Sequence, residues 1–96
     1  MEVENTGDTF TIRLSKKSSA ELAYHIEGSR IFLDSTYTPE EFRGKGVGAR
    51  LVEAAISYAR EKGLKVVPVC PFALEYFKKH PEHKEILSSD FDASYK

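Results

Sequence analysis

Apolar and polar residues alternate through "TFTIRL" (9–14), where Phe10, Ile12 and Leu14 share one face. A period of two predicts a half-buried strand. The pattern repeats in "AELAYHIEG" (20–28) through Leu22, Tyr24 and Ile26, with His25 on the opposite face. Gly28-Ser29 then turns the chain into "RIFLDSTYT" (30–38), rich in β-branched and aromatic residues. The short links predict an antiparallel three-stranded meander. From Gly46 to Lys62 the period changes: Val47, Leu51, Val52, Ala55, Tyr58 and Ala59 recur at helical spacing. Arg50, Glu53, Ser57 and Arg60 take the other face, and Gly63 supplies a stop. "LKVVPV" (64–69) reads as a fourth strand, and its entry through a helical crossover predicts parallel pairing with the third. "PFALEYFKKH" (71–80) opens on proline and predicts a short second helix. "EHKEIL" fits one further turn before a polar tail. The expected fold class is α+β with a mixed sheet, in one domain over residues 1–96. Residues 1–8, a frayed lead-in, and 89–96 are expected to be flexible.

Composition narrows the class of function. A chain of 96 residues fits one domain, and 41% hydrophobic content is too much for disorder. A net charge of −1 gives no general drive toward nucleic acid. No apolar run approaches the ~20 residues of a membrane span, so neither nucleic acid nor membrane is an expected partner. Cys70 is the one cysteine, which rules out an intrachain disulfide. With an acidic start, "MEVEN", unlike a secretory signal, this makes a reducing, cytoplasmic setting the expectation.

The stretch "EFRGKGVGARLVEAA" (41–55) carries the chemistry. Glycine in a helix costs about 0.5–1 kcal/mol relative to alanine, yet three alternate at this helix opening. Helix openings leave about four backbone N–H groups without partners, and capping side chains normally take some of them. Arg43-Gly44-Lys45-Gly46 offers no side-chain oxygen. Free donors, the helix dipole and the cations Arg43, Lys45 and Arg50 together favour a phosphate. A tight strand-to-helix turn alone would need one glycine. A P-loop is absent, because Gly46 follows Lys45 where Ser or Thr is required. "GKGVGA" fits the dinucleotide fingerprint in letters only. "PEEFR" separates it from the strand before, and the next strand ends in Val69-Cys70 without an acid.

Arg43 to Gly48 matches the Arg/Gln-x-x-Gly-x-Gly/Ala motif of the GNAT N-acetyltransferases, and the order of elements matches too. More narrowly, "STYTPEEFRGKGVG…LVEAA…AREKGLKVVPVCPFALEYFKKHPEH" resembles the small GNAT-like proteins of NATD1 type. These combine a Thr-x-Val-Pro-x-x-x-Arg-Gly-x-Gly segment with Pro-x-Cys and a late His-Pro. The resemblance spans roughly residues 20–83. It implies a minimal GNAT-like fold and acetyl-coenzyme A as cofactor. Arg43, Gly44, Lys45, Gly46, Val47 and Gly48 would receive the pyrophosphate. Thr36, Tyr37 and Thr38 would pair with the pantetheine arm as one wall of a V-shaped cleft, and "PVCP" would form the other. The chain departs from the pattern in three places. Ser35 stands where the narrow family often has His, and Thr38 where Val is common. On the longer enzymes' Asn-x-x-Ala-x-x-x-Tyr pattern, Cys70 falls at Asn, Ala73 at Ala and Phe77 at Tyr, with Tyr76 one position away.

On that resemblance, Cys70 would lie beside the pantetheine arm, near the acetyl thioester. A strand-to-helix junction can activate a thiol, which makes Cys70 the candidate nucleophile for taking acetyl and passing it to an amine. The plainer reading is a small buried apolar residue. Direct transfer needs a base for the amine; His25, Asp34, Glu41 and His80 qualify by type. His25 shares its strand face with Ala23 and Glu27 and is expected to be solvated. His80 and His83 flank Pro81 and are too few for a metal, while Lys78 and Lys79 suit an exposed helix face. Two functions follow. One is an N-acetyltransferase acting on an amine of a protein or small molecule; the other is an acyl-coenzyme A binding module without significant turnover, acting as sensor or interaction partner. Only "SKKSS" joins the first two strands, too short for the helices that shape acceptor pockets in longer family members. An open, shallow acceptor site is therefore expected, suited to a protein lysine or N-terminus, or completed by a partner chain.

Overall fold

The computed structural model describes residues 2–88. Strands β1 (Val3–Asn5), β2 (Thr9–Arg13), β3 (Ser19–Glu27) and β4 (Arg30–Tyr37) precede helix α1 (Val47–Lys62). Strand β5 (Lys65–Pro68) and helix α2 (Pro71–Lys79) follow, with 3₁₀ turns at Glu40–Phe42 and Pro81–Ile86. The five strands lie side by side in chain order. The first four pair antiparallel, and β5 joins β4 in parallel after the α1 crossover. The fold class read from the sequence holds: α+β, with a mixed sheet.

The period-two positions explain the layering. Ile12, Leu22, Ile31, Leu33 and Val66 are fully buried on one face of the sheet. Against them pack Leu51, Val52, Ala55 and Ala59 of α1, together with Ala73 and Phe77 of α2. The other face carries Arg13, Glu21 and His25, all exposed, and no described helix covers it. At its C-terminus α1 obeys the ordinary rules. Arg60 and Lys62 lie in the last turn, and Gly63 adopts a left-handed φ of 69° with its N–H bonded back to the helix. None of the described helices is long and apolar enough to cross a membrane.

One expectation is corrected. The meander has four strands, because residues 3–5 of the expected lead-in pair with β2, Val3 opposite Ile12 and Asn5 opposite Phe10. Val3 packs on the core, and Asn5 Oδ1 accepts hydrogen bonds from Tyr24 Oη at 2.7 Å and from the Gly7 N–H at 2.9 Å. Asn5 thus closes the turn and pins the edge strand to β3. The expectation for residues 89–96 lies outside the described residues. The turn expected after Pro81 is present, and Leu87 then bridges Val66 in parallel sense, with Ser88 N–H donating to Val66 O at 2.9 Å.

Two irregularities shape the middle of the sheet. Ala23 faces Ser35 while Tyr24 faces Leu33, so Asp34 is an extra residue, a β-bulge that bends β4. The parallel ladder with β5 ends at that level, at Leu33 opposite Pro68. There the Leu33 carbonyl accepts both the Val69 and Cys70 N–H groups at 3.0 Å, and beyond it the strands part.

Replacing Tyr24 by Phe removes the hydroxyl that holds Asn5. The expected loss is about 0.5–1.5 kcal/mol of stability in denaturant titration. Amide exchange should accelerate at Val3–Asn5 before the rest of the sheet; uniform exchange across β1 to β4 would contradict this pinning.

Candidate functional site

The three glycines at the mouth of α1 answer to different constraints. Gly44 and Gly46 each have φ of 80°, the left-handed region that disfavours other residues. A Cβ on either would meet nothing within 4 Å, so the backbone here is open to approach. Gly46 is the N-cap of α1 and provides no side-chain hydrogen bond. The first helical bond runs from Arg50 N–H to Gly46 O at 3.1 Å. Among the described residues, the N–H groups of Val47, Gly48 and Ala49 therefore have no partner. Gly48 is ordinary helix, but a Cβ there would lie 2.6 Å from Phe72 Cζ. Its hydrogen makes room for an aromatic ring brought in by α2.

These groups line a cavity of about 420 Å³, a size typical of small-molecule sites. Thr36, Tyr37 and Thr38 form one wall, while Arg43, Gly44, Gly46, Val47 and Gly48 come from the glycine segment. Phe42, Ala49 and Phe72 complete it. Of the site residues expected from the sequence, Lys45 and Cys70 are outside this lining. Lys45 is exposed between the two left-handed glycines, and no acidic residue stands in the first turn of α1. Arg43 Nε donates to Thr38 O at 2.9 Å, tying the glycine loop to the end of β4. Phe72 was not legible as a site residue: its helical neighbours Ala73, Tyr76 and Phe77 are core, and only the ring's meeting with Gly48 reveals its place.

Cys70 stands at the apex where β4 and β5 part, but its thiol is turned inward. The residue is 4% exposed, and its Sγ accepts a hydrogen bond from Ala73 N–H at 3.4 Å, so it serves as the N-cap of α2. Tyr76 is also buried. Its hydroxyl donates to Glu53 Oε2 of α1 at 3.2 Å, and its ring stacks on His80 at 4.2 Å. Burial first, and then the Glu53 carboxylate, push its pKa up to about 12. His80 Nδ1 sits 3.2 Å from Glu82. The Glu82 carboxyl is held below the usual range by its own backbone N–H and by His80.

On the uncovered sheet face, the bulge residue Asp34 approaches His25 Nδ1 at 2.7 Å, and Glu27 meets Nε2 at 3.1 Å. The imidazole stacks on Phe32 at 4.7 Å. The hydrogen bond to Asp34 raises the His25 pKa above its ordinary 6.5. Two of the four candidate bases are thus one unit, whereas Glu41 and His80 are elsewhere; none of the four lines the cavity. Among the described residues, no group of three or more His, Cys, Asp or Glu is placed to hold a metal ion.

Comparison with known proteins agrees with this geometry. The family model for GCN5-related N-acetyltransferases matches residues 9–86. The chain is 35% identical to Protein NATD1 of Gallus gallus over 74 residues, covering 75% of this chain and 67% of that protein. Protein NATD1 of Homo sapiens is likewise 35% identical, with 66% of its length covered. The solution NMR structure of a GCN5-like candidate N-acetyltransferase from Staphylococcus aureus superposes with a TM-score of 0.75 at 28% identity. That match covers 91% of this chain and 87% of the other.

The His25 cluster has a checkable titration. A folded pKa raised above 6.5 means that its stabilisation is fully present below that pH and is lost as pH rises through the folded value. An NMR titration should place the His25 midpoint above 6.5, and Asp34→Asn should lower it. An unchanged midpoint in the variant would exclude Asp34 as the cause.

Proposed function

The chain belongs to the GCN5-related N-acetyltransferase family, and we propose that it moves acetyl from acetyl-coenzyme A to an amine of a protein or small molecule. The observation that carries this reading is the uncapped mouth of α1. Three backbone N–H groups, two glycines open to approach and the cation Arg43 meet there, and no acidic residue stands in the first turn of α1. Donors and charge of this kind hold a pyrophosphate.

Each wall has a role in that reading. Beyond Leu33, β4 keeps its pairing with β3 but loses β5, so among the described residues its outer edge from Asp34 to Tyr37 is without a ladder partner. Backbone amides of a pantetheine arm can pair with such an edge as an added strand would. Arg43 braces the two walls through its bond to Thr38. The coenzyme supplies an acetyl group already activated as a thioester. What remains for the protein is to orient it and to receive the proton that leaves the amine.

Two finer readings rest on this one. In the first, Cys70 relays the acetyl group: its Sγ leaves the α2 cap, gives up its proton and bonds to the thioester carbonyl carbon. The coenzyme's C–S bond breaks and coenzyme A leaves as the thiol with that proton. The amine then attacks the acetyl-Cys70 carbonyl, and the Cys70 sulfur leaves, taking up the proton the amine loses. Its place at the apex supports this, and its burial opposes it. In the second, the chain binds the coenzyme with little turnover. That reading draws on a cavity lining in which, among the described residues, there is no carboxylate or imidazole.

Acetyl-coenzyme A at a hundred times its Kd should stabilise the fold by about 2.7 kcal/mol, read as a rise in melting temperature. Gly46→Glu should abolish the rise by placing a carboxylate where phosphate is expected. Gly46→Ala separates backbone strain from charge: it should cost about 1–3 kcal/mol of stability while keeping part of the ligand shift. A wild-type protein that shows no shift ends the proposal. Intact mass after incubation with labelled acetyl-coenzyme A tests the relay. An acetyl adduct lost in Cys70→Ala supports it, and turnover undiminished in that variant excludes it.

A further inference from the structure

Four large hydrophobic side chains stay exposed among the described residues: Ile26, Tyr37, Val69 and Phe72. Two of them, Tyr37 and Phe72, line the cavity at the mouth of α1. An aromatic ring left partly in water within a concave site is a contact surface waiting for an apolar partner. Phe72 is the more constrained of the two. It is the second residue of α2, two positions after Cys70 at the apex of the strand divergence. From there its ring reaches the first turn of α1, where Cζ, Cε2 and Cε1 would lie 2.6, 2.8 and 3.2 Å from a Cβ on Gly48. The ring therefore spans the two helices between the phosphate-binding mouth and the apex.

We infer that Phe72, seated against Gly48, sets the width of the groove for the acyl-thioester arm and so restricts the protein to short acyl groups. This rests on the acetyl-coenzyme A reading above. Phe72 and Thr36–Thr38 line the same cavity, so an arm that enters at the mouth of α1 and heads for the apex would meet both. The apex itself is closed: Leu33 is fully buried and Cys70 is 4% exposed, so a longer chain finds no extension there. It must instead displace the ring, and the ring has no free space on the Gly48 side. Phe72 is thus a positioning residue, acting by shape on the arm and not on the reacting atoms. Gly48 is its seat, a role distinct from the backbone freedom that Gly44 and Gly46 provide.

The test is a set of calorimetric Kd values for acetyl-, butyryl- and free coenzyme A. It compares wild type, Phe72→Ala, Phe72→Leu, Gly48→Ala and the Phe72→Ala/Gly48→Ala pair. Wild type should prefer acetyl- over butyryl-coenzyme A. Phe72→Ala should weaken acetyl-coenzyme A by about tenfold, the equivalent of about 1.4 kcal/mol, and erase the preference. Phe72→Leu, which retains apolar bulk, should fall between. Gly48→Ala should weaken binding in the wild-type background by pushing the ring aside, and should have no effect once Phe72 is Ala, a non-additivity diagnostic of contact. Equal effects of Gly48→Ala in both backgrounds would overturn the inference. So would an acyl-length preference unchanged in Phe72→Ala. If wild type binds neither acetyl- nor free coenzyme A, the proposed function fails first; if it binds both and the cycle is additive, only this inference fails.

Discussion

Everything at the site depends on the parting of β4 from β5 beyond Leu33. Both strands stop pairing at one level, and each has its own reason. The donors from β5 to β4 alternate, with Lys65 N–H bonded to Ser29 O and Val69 N–H to Leu33 O, and the next position in that phase is Pro71, which has no N–H. On the other side Asp34 is an extra residue that bends β4 away. The Leu33 carbonyl takes both remaining donors, Val69 and Cys70 N–H, and so fixes the apex. A single carbonyl thus marks the boundary between sheet that holds the fold and sheet left open for a ligand.

The second constraint is that both helices lie on one face. Their shared side places the first turn of α1 beside the first turn of α2, which is why Gly48 and Phe72 meet. It also leaves the opposite face to His25, Glu27 and Asp34. Only residues 14–18, "LSKKS", join β2 to β3, too few for a helix over that face. The bulge at Asp34 therefore serves two surfaces: it opens the cleft on one side and carries the carboxylate that holds His25 on the other.

Much of this was legible in the residues, and the failures have physical causes. Long periodic segments announced themselves: the alternation through Phe10 and Ile12, or Leu22 and Tyr24, and the helical spacing from Val47 to Ala59. Edge strand β1 did not, because three residues with one half-buried side chain carry no period. Its order comes from Tyr24 reaching Asn5 across 19 positions. Glycine spacing pointed to the mouth of α1, yet it could not say that two glycines are demanded by backbone angle and the third by a ring from another helix. Cys70 was read as a helix opener, which it is. The hydrogen bond from Ala73 that turns its sulfur inward is a matter of rotamer, and sequence is silent on rotamers.

The two ends of α1 make the remaining argument. At the C-terminus every local preference agrees: basic residues Arg60 and Lys62, a left-handed glycine, and a backbone cap. At the N-terminus the side-chain and charge preferences are unmet. No side chain caps it, no acid complements the dipole, and Arg43 and Lys45 add positive charge beside a positive helix end. Each violation costs up to about 1 kcal/mol at an exposed site. A helix so well finished at one end and so unfavourable at the other is not simply poor at folding. Local consistency fails where function imposes its own demand, and under the proposed function that demand is for negative charge from outside the chain. An anion seated on the three N–H groups would offset those costs together, which couples occupancy of the site to the stability of the helix that forms the core.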